Sequence, residues 1–562
     1  MARSSGQGLY SSPFAVDYLA LPAFFDFMLS LPLRVAGYTN LVVARGFIGL
    51  IGALGAPLLY QVARELGYPR RVGVVAGVVL ATLHWDVMFS RMVLPNVTSA
   101  TGSCALLLLL IMAVRRSSVV YAALAGVALA WTLNAHLSGT MLLPVMFVWL
   151  ALMIVAHGRW RLRSWGREHP ARPEGDQNPL HRQGNALPQH RVSLAHRLST
   201  MLRAVFHPPG CEPHLDLDDA HPRASAIRLI SVALVFAATG IACDWPLLQS
   251  YLAPNSALVA HSTEHYLLTA ANRAAFAVAH PGIGTSLLGL LWYQFNITIG
   301  MFSVMGDPDN IYNVPGRPLL DAVSGLLLCI GLAGSLLRIR RPSTELVLLW
   351  FAVPIVLGVT LSAGRVLVIT APTFTRAMPA IPALCLLIAL GMEYAVAGVC
   401  RAVQRVWRWP GSSLRLAALR VSLLVMVTGI VGVVEVQRYW DYVRLQQSGP
   451  LFHTAGREWS MFLAPRGAIQ VTVVGPAAWP PEYTALYAPT ARICVGLWVT
   501  SWGICPPAQV VIFDMDRSDA QAYGARTHLR VVAGPSEDST TRFWYADGHN
   551  LPDPARVLQH AR

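Results

Sequence analysis

The feature that most constrains this chain is a series of apolar runs, each of about 18 to 22 residues, that recurs along the sequence. A helix of that length crosses the roughly 30 Å of hydrocarbon in a bilayer. The composition agrees, because 54% of the residues are hydrophobic and only 13% are charged, against about 25% charged in an ordinary soluble domain. We therefore predict an α-helical integral membrane protein with about ten transmembrane helices. The predicted spans are residues 40–64, 73–91, 95–113, 119–136, 138–156, 226–243, 319–337, 344–362, 377–397 and 418–436.

The arginines orient these spans. All 43 basic residues are arginine, and the formal net charge is +14. They cluster in the loops at 70–71, 115–116, 159–167, 338–341 and 401–415, which all lie on one side if the chain begins outside and crosses about ten times. Because positive loops stay in the cytoplasm, the pattern predicts which loops face outward. No basic face with interleaved aromatics is present, which argues against a nucleic-acid partner.

Two apolar segments do not fit as spans. Residues 16–38 contain Asp17 and Asp26, and residues 284–304 contain polar amides among aromatic residues. Counting either segment as a span would place later arginine clusters on the wrong side. We interpret both as amphipathic helices on the outer leaflet.

These features divide the chain into five parts. Residues 1–39 are an outer-face loop with an amphipathic helix, and residues 40–156 are the N-terminal transmembrane core. Residues 157–225 are a polar, arginine-rich cytoplasmic loop that we predict to be largely disordered. Residues 226–436 are a second transmembrane region, with outer loops at 244–318 and 363–376.

The remaining part, residues 437–562, has a different pattern. Its short apolar runs are separated by Pro, Gly and Asp turns and lie at 468–474, 493–500, 510–513 and 529–532. This pattern predicts a small extracytoplasmic α/β domain. Cys494 and Cys505 lie near each other in it, and a disulfide between them is expected if the domain is outside the cytoplasm.

Polar side chains collect at the predicted outer ends of the spans, where they are costly and therefore candidates for function. His84, Asp86 and Arg91 lie together in HWDVMFSR at the end of the second span, and Asn96 begins the next span. We predict that these four side chains face the outer boundary of the membrane.

A second group lies much later in the chain but on the same predicted side. Asp307, Asp309 and Arg317 precede the seventh span, and Arg376 precedes the ninth. The fork of donors on a guanidinium matches the oxygens of a phosphate. Arginines aimed at one face of the membrane therefore predict a site for a lipid phosphate.

Each of these residues also has a purely structural interpretation. An arginine at the end of a span can extend to the lipid headgroups. Asp307 and Asp309 can stabilise a turn. His136, which follows Asn134 in an apolar hairpin, is more typical of a boundary histidine than of a ligand.

Several of these blocks resemble a known family. HWDVMFSRMVLPN, ALAGVALAWTLNAHLSGTMLLPVMF, NIYNVPGRPLLDAVSGLLLCIGLAG and APTFTRAMPAIPALCLLIALG are similar to segments of the GT-C fold glycosyltransferases that depend on a lipid carrier. This group includes the family 39 protein O-mannosyltransferases and the aminoarabinose transferases. The resemblance extends over residues 9 to about 440 and rests on the order and spacing of the blocks.

The resemblance implies a transferase in the bacterial plasma membrane. A sugar would arrive on a polyprenyl phosphate and be moved to an acceptor outside the cytoplasm. It implies donor-phosphate roles for Arg91, Arg317 and Arg376, and it leaves Asp17 and Asp86 as the nearest candidates for a general base. A divalent metal assists some members of the family, and the resemblance names no metal ligand here.

The chain also departs from the family. Members usually begin with one more transmembrane helix, followed by an acidic motif in the first outer loop, and many carry Asp where this chain has Asn96. Two hypotheses follow. Either the natural protein extends upstream and is an active transferase, or the chain is a catalytically inactive relative that binds lipid-linked glycans or an envelope partner.

Overall fold

The structure is a computed structural model, and it describes most of the predicted membrane region. The described ranges are 24–36, 40–168, 226–254, 266–279, 286–307, 313–361, 374–406, 413–448, 470–474, 492–496, 510–513, 530–534 and 544–547, with a few single residues between them. Most of the predicted cytoplasmic loop 157–225 lies outside these ranges.

The membrane region is helical throughout its described length. Its first helices are α1 (Phe24–Ala36), α2 (Leu41–Glu65), α3 (Arg70–Thr82), α4 (His84–Arg91), α5 (Asn96–Arg116), α6 (Val119–Ala135) and α7 (Leu142–Glu168). A 3-10 turn at Leu137–Met141 joins α6 to α7. The later helices are α8 (Ala226–Leu252), α9 (Ala270–Ala279), α10 (Leu287–Gly300), α11 (Ala322–Leu336), α12 (Pro342–Pro354), α13 (Phe374–Ala377), α14 (Ile381–Val406) and α15 (Ser413–Ser448). A π-helical segment, Ile355–Thr360, extends α12, and a 3-10 turn, Met378–Ala380, joins α13 to α14.

The predicted class of an α-helical multi-pass membrane protein is confirmed. Among the described residues, seven helices are long and apolar enough to cross a membrane, and the bent pair α3–α4 makes an eighth. Two of the predicted spans correspond to the shorter apolar helices α6 and α11. Their small residues allow close packing against neighbouring helices.

The second predicted span is broken rather than continuous. Helices α3 and α4 meet at Leu83 with a bend of 55°. The backbone of Leu83 is extended (φ −56°, ψ 115°), so the helical hydrogen-bond pattern stops there. Hydropathy alone does not reveal such a break, because α3 and α4 together are apolar enough to pass as one span. The bend makes His84 the first residue of a separate short helix.

The two segments interpreted as amphipathic helices contain α1 and α10. Helix α1 buries Phe25, Leu29 and Leu33 along one side, as an amphipathic helix does. Helix α10 leaves the large side chain of Trp292 65% exposed. Their location on the outer leaflet stays a prediction.

Helix α15 carries charged side chains that form ion pairs at two separate ends of the bundle. Near its start, Arg420 pairs with Glu393 of α14, which also accepts from Arg71 of α3 at 2.8 Å. Near its end, Asp441 pairs with Arg317 at 2.9 Å. Arg420 and Asp441 are 21 residues apart in one helix, which is about 31 Å. This distance matches the thickness of the hydrocarbon layer.

Other arginines join the first of these ends. Arg115 of α5 pairs with Glu65 of α2 at 2.6 Å, and Arg116 pairs with the same carboxylate at 3.3 Å. Glu65 lies just before α3, whose Arg71 belongs to the group described above. We call this end of the bundle the arginine end. The other end carries His84, Arg317 and Asp441, and we call it the site end.

Helices α11 and α14 approach each other unusually closely. A Cβ atom added at Gly331 would lie 1.9 Å from the carbonyl oxygen of Leu387, and one added at Gly391 would lie 1.9 Å from that of Leu327. Glycine is therefore required at both positions. Close backbone contact through small residues is a common way to pack helices in lipid, because the hydrophobic effect does not drive helices together there.

The C-terminal part forms a five-stranded mixed sheet. The strands are β1 (Gln470–Val474), β2 (Arg492–Gly496), β3 (Val510–Phe513), β4 (Val532–Ala533) and β5 (Trp544–Asp547), in the order β2-β1-β3-β5-β4. The first three strands are parallel, and β5 is antiparallel to β3 and β4. The predicted runs overlap β1, β2 and β3, and the run 529–532 overlaps β4 only at Val532. The sequence analysis missed β5. Cys494 lies in β2 but Cys505 lies outside the described residues, so the disulfide stays a prediction.

Candidate functional site

The site end is organised around a buried pair between α4 and α15. His84 Nδ1 lies 2.5 Å from Glu435 Oε2, and the His84 backbone N–H donates to the same oxygen at 3.1 Å. His84 is 6% exposed and Glu435 is fully buried. Because the bend at Leu83 starts a new helix, the His84 N–H has no acceptor within α4, and it donates to Glu435 instead. One carboxylate therefore fixes both the end of α4 and its first side chain.

The same face of α15 continues with charged side chains that contact the segment before α11. Arg438 donates to the carbonyl oxygen of Pro318. One turn later, the Asp441 carboxylate accepts from Arg317 Nη1 at 2.9 Å, with both side chains partly exposed. Helix α15 thus holds Arg317 in position at the boundary of the bundle.

The loop that carries Arg317 is tightly closed. The Asp307 backbone carbonyl accepts from the Gly316 N–H at 3.1 Å and from Asn313 Nδ2 at 2.9 Å. A Cβ added at Gly306 would lie 2.0 Å from the Arg317 carbonyl oxygen, and Gly316 has φ +73°. Both glycines are therefore needed for the loop to close in this form.

Asp307 connects this loop to the segment of Arg376. It is fully buried, and its Oδ2 accepts from the Phe374 backbone N–H at 2.8 Å. Phe374 begins α13, and its ring lies 4.9 Å from that of Trp85 in α4. The loop of Arg317, the helix of Arg376 and the helix of His84 therefore meet at one end of the bundle.

Arg376 has fewer partners for its guanidinium than the other candidate arginines. Its side chain is half-buried beside Tyr266, and no carboxylate among the described residues pairs with it. Its backbone carbonyl packs against Gly358, where an added Cβ would lie 2.8 Å away. The π-helical segment thus packs closely against the backbone of α13. The contact fixes the backbone of Arg376 and does not use the hydrogen-bond donors of its guanidinium.

The other two arginines already have partners. The Arg91 guanidinium lies over the Tyr439 ring of α15, 5.6 Å from its centroid, a cation–π geometry. Arg317 is paired with Asp441 as described.

Asn96 belongs to a polar group at the start of α5. Its Nδ2 lies 3.3 Å from His136 Nε2, and His136 Nδ1 lies 2.7 Å from Ser138 Oγ. Ser138 also contacts Ser99 Oγ at 2.9 Å. His136 is therefore linked to neighbouring side chains at the boundary between α6 and the 3-10 turn.

Asp86 is buried among helices rather than aimed at the arginines. It is 5% exposed and lies beside Cys104 of α5 and Cys385 of α14. Among the described residues, no ion-pair or hydrogen-bond partner for its carboxyl group is found. A buried carboxyl without a partner inside a membrane protein is a functional candidate.

The structure thus brings His84, Arg317, Asp307 and Arg376 to one end, with Asp86 two residues after His84 in α4. Asp17 and Asp309 lie outside the described residues. Within the part of the chain that is described, no group of three His, Cys, Asp or Glu side chains could hold a metal ion. The described residues therefore form no candidate centre for the divalent metal of some GT-C enzymes.

Sequence reasoning missed the partners on α15. Glu435 and Asp441 lie more than a hundred residues from Arg317 and several hundred from His84, so no local pattern joins them. One signal was available, because Glu435 is an acidic residue at the end of an apolar span, in VVEVQRYWDY. An ionisable residue in that place predicts a functional or paired group.

Comparison with known proteins adds family information for part of the chain. Residues 21–167 match the model of the dolichyl-phosphate-mannose-protein mannosyltransferase family. No curated protein matches the chain by sequence. The match to the family model includes the HWDVMFSR block and the hairpin of His136.

Two solved structures are similar in outline to the chain. ArnT from Cupriavidus metallidurans bound to undecaprenyl phosphate is 12% identical with a TM-score of 0.48, and the match covers 97% of this chain and 91% of that one. The oligosaccharyltransferase AglB from Archaeoglobus fulgidus, in complex with an inhibitory peptide and a dolichol-phosphate, is 14% identical with a TM-score of 0.42, and the match covers 96% and 68%. The family-model match confirms, over residues 21–167, the resemblance to lipid-carrier-dependent glycosyltransferases that the sequence motifs predict.

Proposed function

We propose that this protein is a membrane glycosyltransferase that moves a sugar from a polyprenyl phosphate to an acceptor at the site end of the helical bundle. We further propose that the site end faces outside the cytoplasm, together with the C-terminal sheet, in a bacterial plasma membrane. The family-model match over residues 21–167 supports the reaction class, because that family is named for transfer from a lipid-phosphate sugar. The arginine end supports the orientation, because arginine-rich loops stay in the cytoplasm.

The observation that carries the proposal is the state of Arg376. It is a half-buried guanidinium at the membrane boundary with no carboxylate partner among the described residues. Arginine binds phosphate oxygens through its fixed fork of donors. A lipid phosphate arriving from the bilayer would supply the anion that this side chain lacks.

The proposed reaction needs few groups. The acceptor hydroxyl oxygen attacks the anomeric carbon of the sugar, and the bond from that carbon to the phosphate oxygen breaks. The polyprenyl phosphate leaves with the bonding electron pair, and the acceptor proton passes to a carboxylate. Arg376 stabilises the negative charge that grows on the leaving phosphate.

Two carboxylates are candidates for the base. Asp86 is buried two residues after His84 and has no partner among the described residues, so its oxygens are free to accept a proton. Asp17 is the second candidate and lies outside those residues. A base must come within hydrogen-bond reach of the acceptor hydroxyl, and this requirement decides between them.

The neighbouring pairs act as supports. Glu435 fixes the first turn of α4 through His84, and Asp441 holds Arg317. Asp307 holds the backbone of Phe374, two residues before Arg376. A site whose charged side chains are fixed before the substrate arrives spends less binding energy on ordering them.

The test is sugar transfer from a radiolabelled polyprenyl-phosphate sugar in membranes that contain the full chain. Arg376→Ala is expected to lower the rate about a hundredfold, which is the order of the loss when one oxyanion-stabilising donor is removed from a protease. Arg340→Gln is the matched control, because Arg340 is an exposed arginine at the opposite end. Equal transfer by the wild type and Arg376→Ala would reject the phosphate role.

The same experiment addresses the alternative of an inactive binding protein. If wild-type membranes retain the labelled lipid but transfer no sugar to any acceptor, the chain acts as a binding protein. In that case Arg376→Ala is expected to reduce lipid retention, while Arg340→Gln leaves it unchanged.

A further inference from the structure

The arginine end contains a buried guanidinium that the proposed transfer reaction does not use. Arg338 lies in the connection between α11 and α12 and is only 4% exposed. Its Nη1 donates to the Tyr394 hydroxyl, and its Cζ lies 4.9 Å from the centroid of the Tyr394 ring. The remaining donors, Nε and Nη2, are buried and have no hydrogen-bond partner among the described residues.

Those two free donors lie on the same edge of the guanidinium. Nε–H and the adjacent Nη2–H point in parallel and form the side-on fork that binds two oxygens of one carboxylate or phosphate. An unpaired buried cation is costly, and a bound anion would remove that cost. The geometry of Arg338 is therefore that of a half-filled anion site.

No carboxylate of the described chain fills it. Glu393, adjacent to Tyr394 in α14, is taken by Arg71 and Arg420. Glu345, in the first turn of α12, forms no ion pair with Arg338 among the described residues. None of the described carboxylates thus neutralises the positive charge of Arg338.

The surroundings of Arg338 are also suited to an anion. Helix α12 begins at Pro342, and its first turn carries the buried residues Ser343 and Thr344. Pro342 has no N–H, and the Thr344 and Glu345 N–H groups donate to the Arg341 carbonyl oxygen, so the start of α12 contributes its partial positive charge more than free donors. Tyr68 is buried against Thr344 and Arg338, and its neutral hydroxyl can donate a hydrogen bond.

We propose that Arg338, together with Tyr68 and the start of α12, binds a phosphate-type anion at the arginine end of the bundle. The connection lies at the ends of the membrane helices α11 and α12, where the phosphate of an anionic phospholipid is within reach. Inorganic phosphate offers the same oxygens. The site goes beyond the proposed transferase and lies at the end opposite Arg376.

The test uses the full chain purified in detergent and three probes: phosphatidylglycerol, phosphatidylcholine and sodium phosphate. Native mass spectrometry measures bound lipid, and the unfolding temperature measures stabilisation. Wild type is expected to bind phosphatidylglycerol or phosphate in preference to phosphatidylcholine. Arg338→Gln is expected to weaken that binding about tenfold or more, as the loss of charged hydrogen bonds does. Arg340 is an exposed arginine of the same connection, and the control variant Arg340→Gln is expected to retain the binding.

The two anion sources give different results. Selective retention of phosphatidylglycerol identifies a lipid headgroup, and stabilisation by sodium phosphate alone identifies a free anion; both support the site. If Arg338→Gln does not fold, Tyr68→Phe keeps the ring and removes one donor, and a severalfold loss of affinity is expected. Equal binding by Tyr68→Phe, Arg340→Gln and wild type, or no preference of wild type for any anionic probe, would overturn the proposal.

Discussion

Three arginines at the site end differ in what already binds them. Arg91 lies over the Tyr439 ring, Arg317 is paired with Asp441, and Arg376 has no carboxylate partner among the described residues. A guanidinium that is already paired gains less from a phosphate than one that is not, because the existing partner must be released. The three residues are therefore not equivalent, although the sequence places them in the same class.

This difference predicts separate effects for Arg317 and Arg376. Arg317→Ala removes a partly exposed ion pair, which contributes up to about 1 kcal/mol to the free energy of unfolding, and it should lower transfer less than Arg376→Ala does. The measurement is the rate of sugar transfer together with the unfolding temperature of both variants. A larger loss of transfer in Arg317→Ala would show that Arg317 leaves Asp441 to bind the substrate.

The buried pair of His84 and Glu435 predicts a larger effect on stability. Glu435→Ala removes the acceptor for two His84 donors and leaves both buried without a partner. Breaking such a buried pair costs about 3 to 5 kcal/mol of unfolding free energy. Glu435→Gln keeps a carbonyl oxygen for one donor, and it should cost clearly less.

A double-mutant cycle with His84→Ala isolates the interaction. If the pair is the cause, the double variant should be no less stable than Glu435→Ala alone. Additive losses from the two single variants would instead mean that each residue is stabilised by other neighbours.

The sequence predicted these residues only in part, and the reason is physical. His84, Asp86, Arg317 and Arg376 stand out because charges at the ends of apolar runs are rare. The pairing of His84 and Arg317 depends on contacts with α15, which lie 351 and 124 residues away in the chain. Composition and spacing contain no information about such contacts.

At the scale of helices, hydropathy was sufficient to locate the spans but not their shapes. The long apolar runs of α5 and α14 are unambiguous, since a chain in lipid must satisfy its backbone within a helix. The bend at Leu83 and the π-helical segment Ile355–Thr360 depend on backbone geometry and on packing against other helices. Both irregular segments contact the site end, where α4 meets Glu435 and the π-helical segment meets α13.

The contact between α11 and α14 gives a matched prediction within one helix. Gly391→Ala would place a methyl group 1.9 Å from the Leu327 carbonyl oxygen, whereas Gly398→Ala, seven residues later in α14, meets nothing within 4 Å. Overpacking costs about 1 to 3 kcal/mol, while alanine favours an unhindered helix by up to about 1 kcal/mol. Thermal unfolding in detergent should therefore show a loss for Gly391→Ala and no loss for Gly398→Ala.

The reverse ranking of these two variants would mean that α11 and α14 do not approach each other through glycine. A loss of the same size in both would point to a general effect on α14 rather than to the contact. The comparison is sharp because the two substitutions are chemically identical and differ only in their surroundings.

For the whole molecule, the decisive property is that the two ends differ in charge and lie about 31 Å apart along α15. The arginine end gathers Arg71, Arg115, Arg338 and Arg420. A charge pattern of this kind orients a membrane protein, because arginine-rich segments are retained in the cytoplasm. The proposed transferase requires the site end to face the other side.

Cysteine labelling in intact cells tests this arrangement with a maleimide that does not cross membranes. Val304→Cys and Arg444→Cys are exposed at the site end, near Gly306 and Asp441, and Arg340→Cys is exposed at the arginine end. The first two should react in intact cells, and the third only after the membrane is permeabilised. The unsubstituted chain supplies the background from its native cysteines, which include the buried Cys104, Cys385 and Cys400. Labelling of Val304→Cys and Arg444→Cys from opposite sides would contradict the fold, because the pair of Arg317 and Asp441 requires both on one side. Labelling of Arg340→Cys in intact cells would instead reverse the orientation and remove the proposed transfer from the outer face.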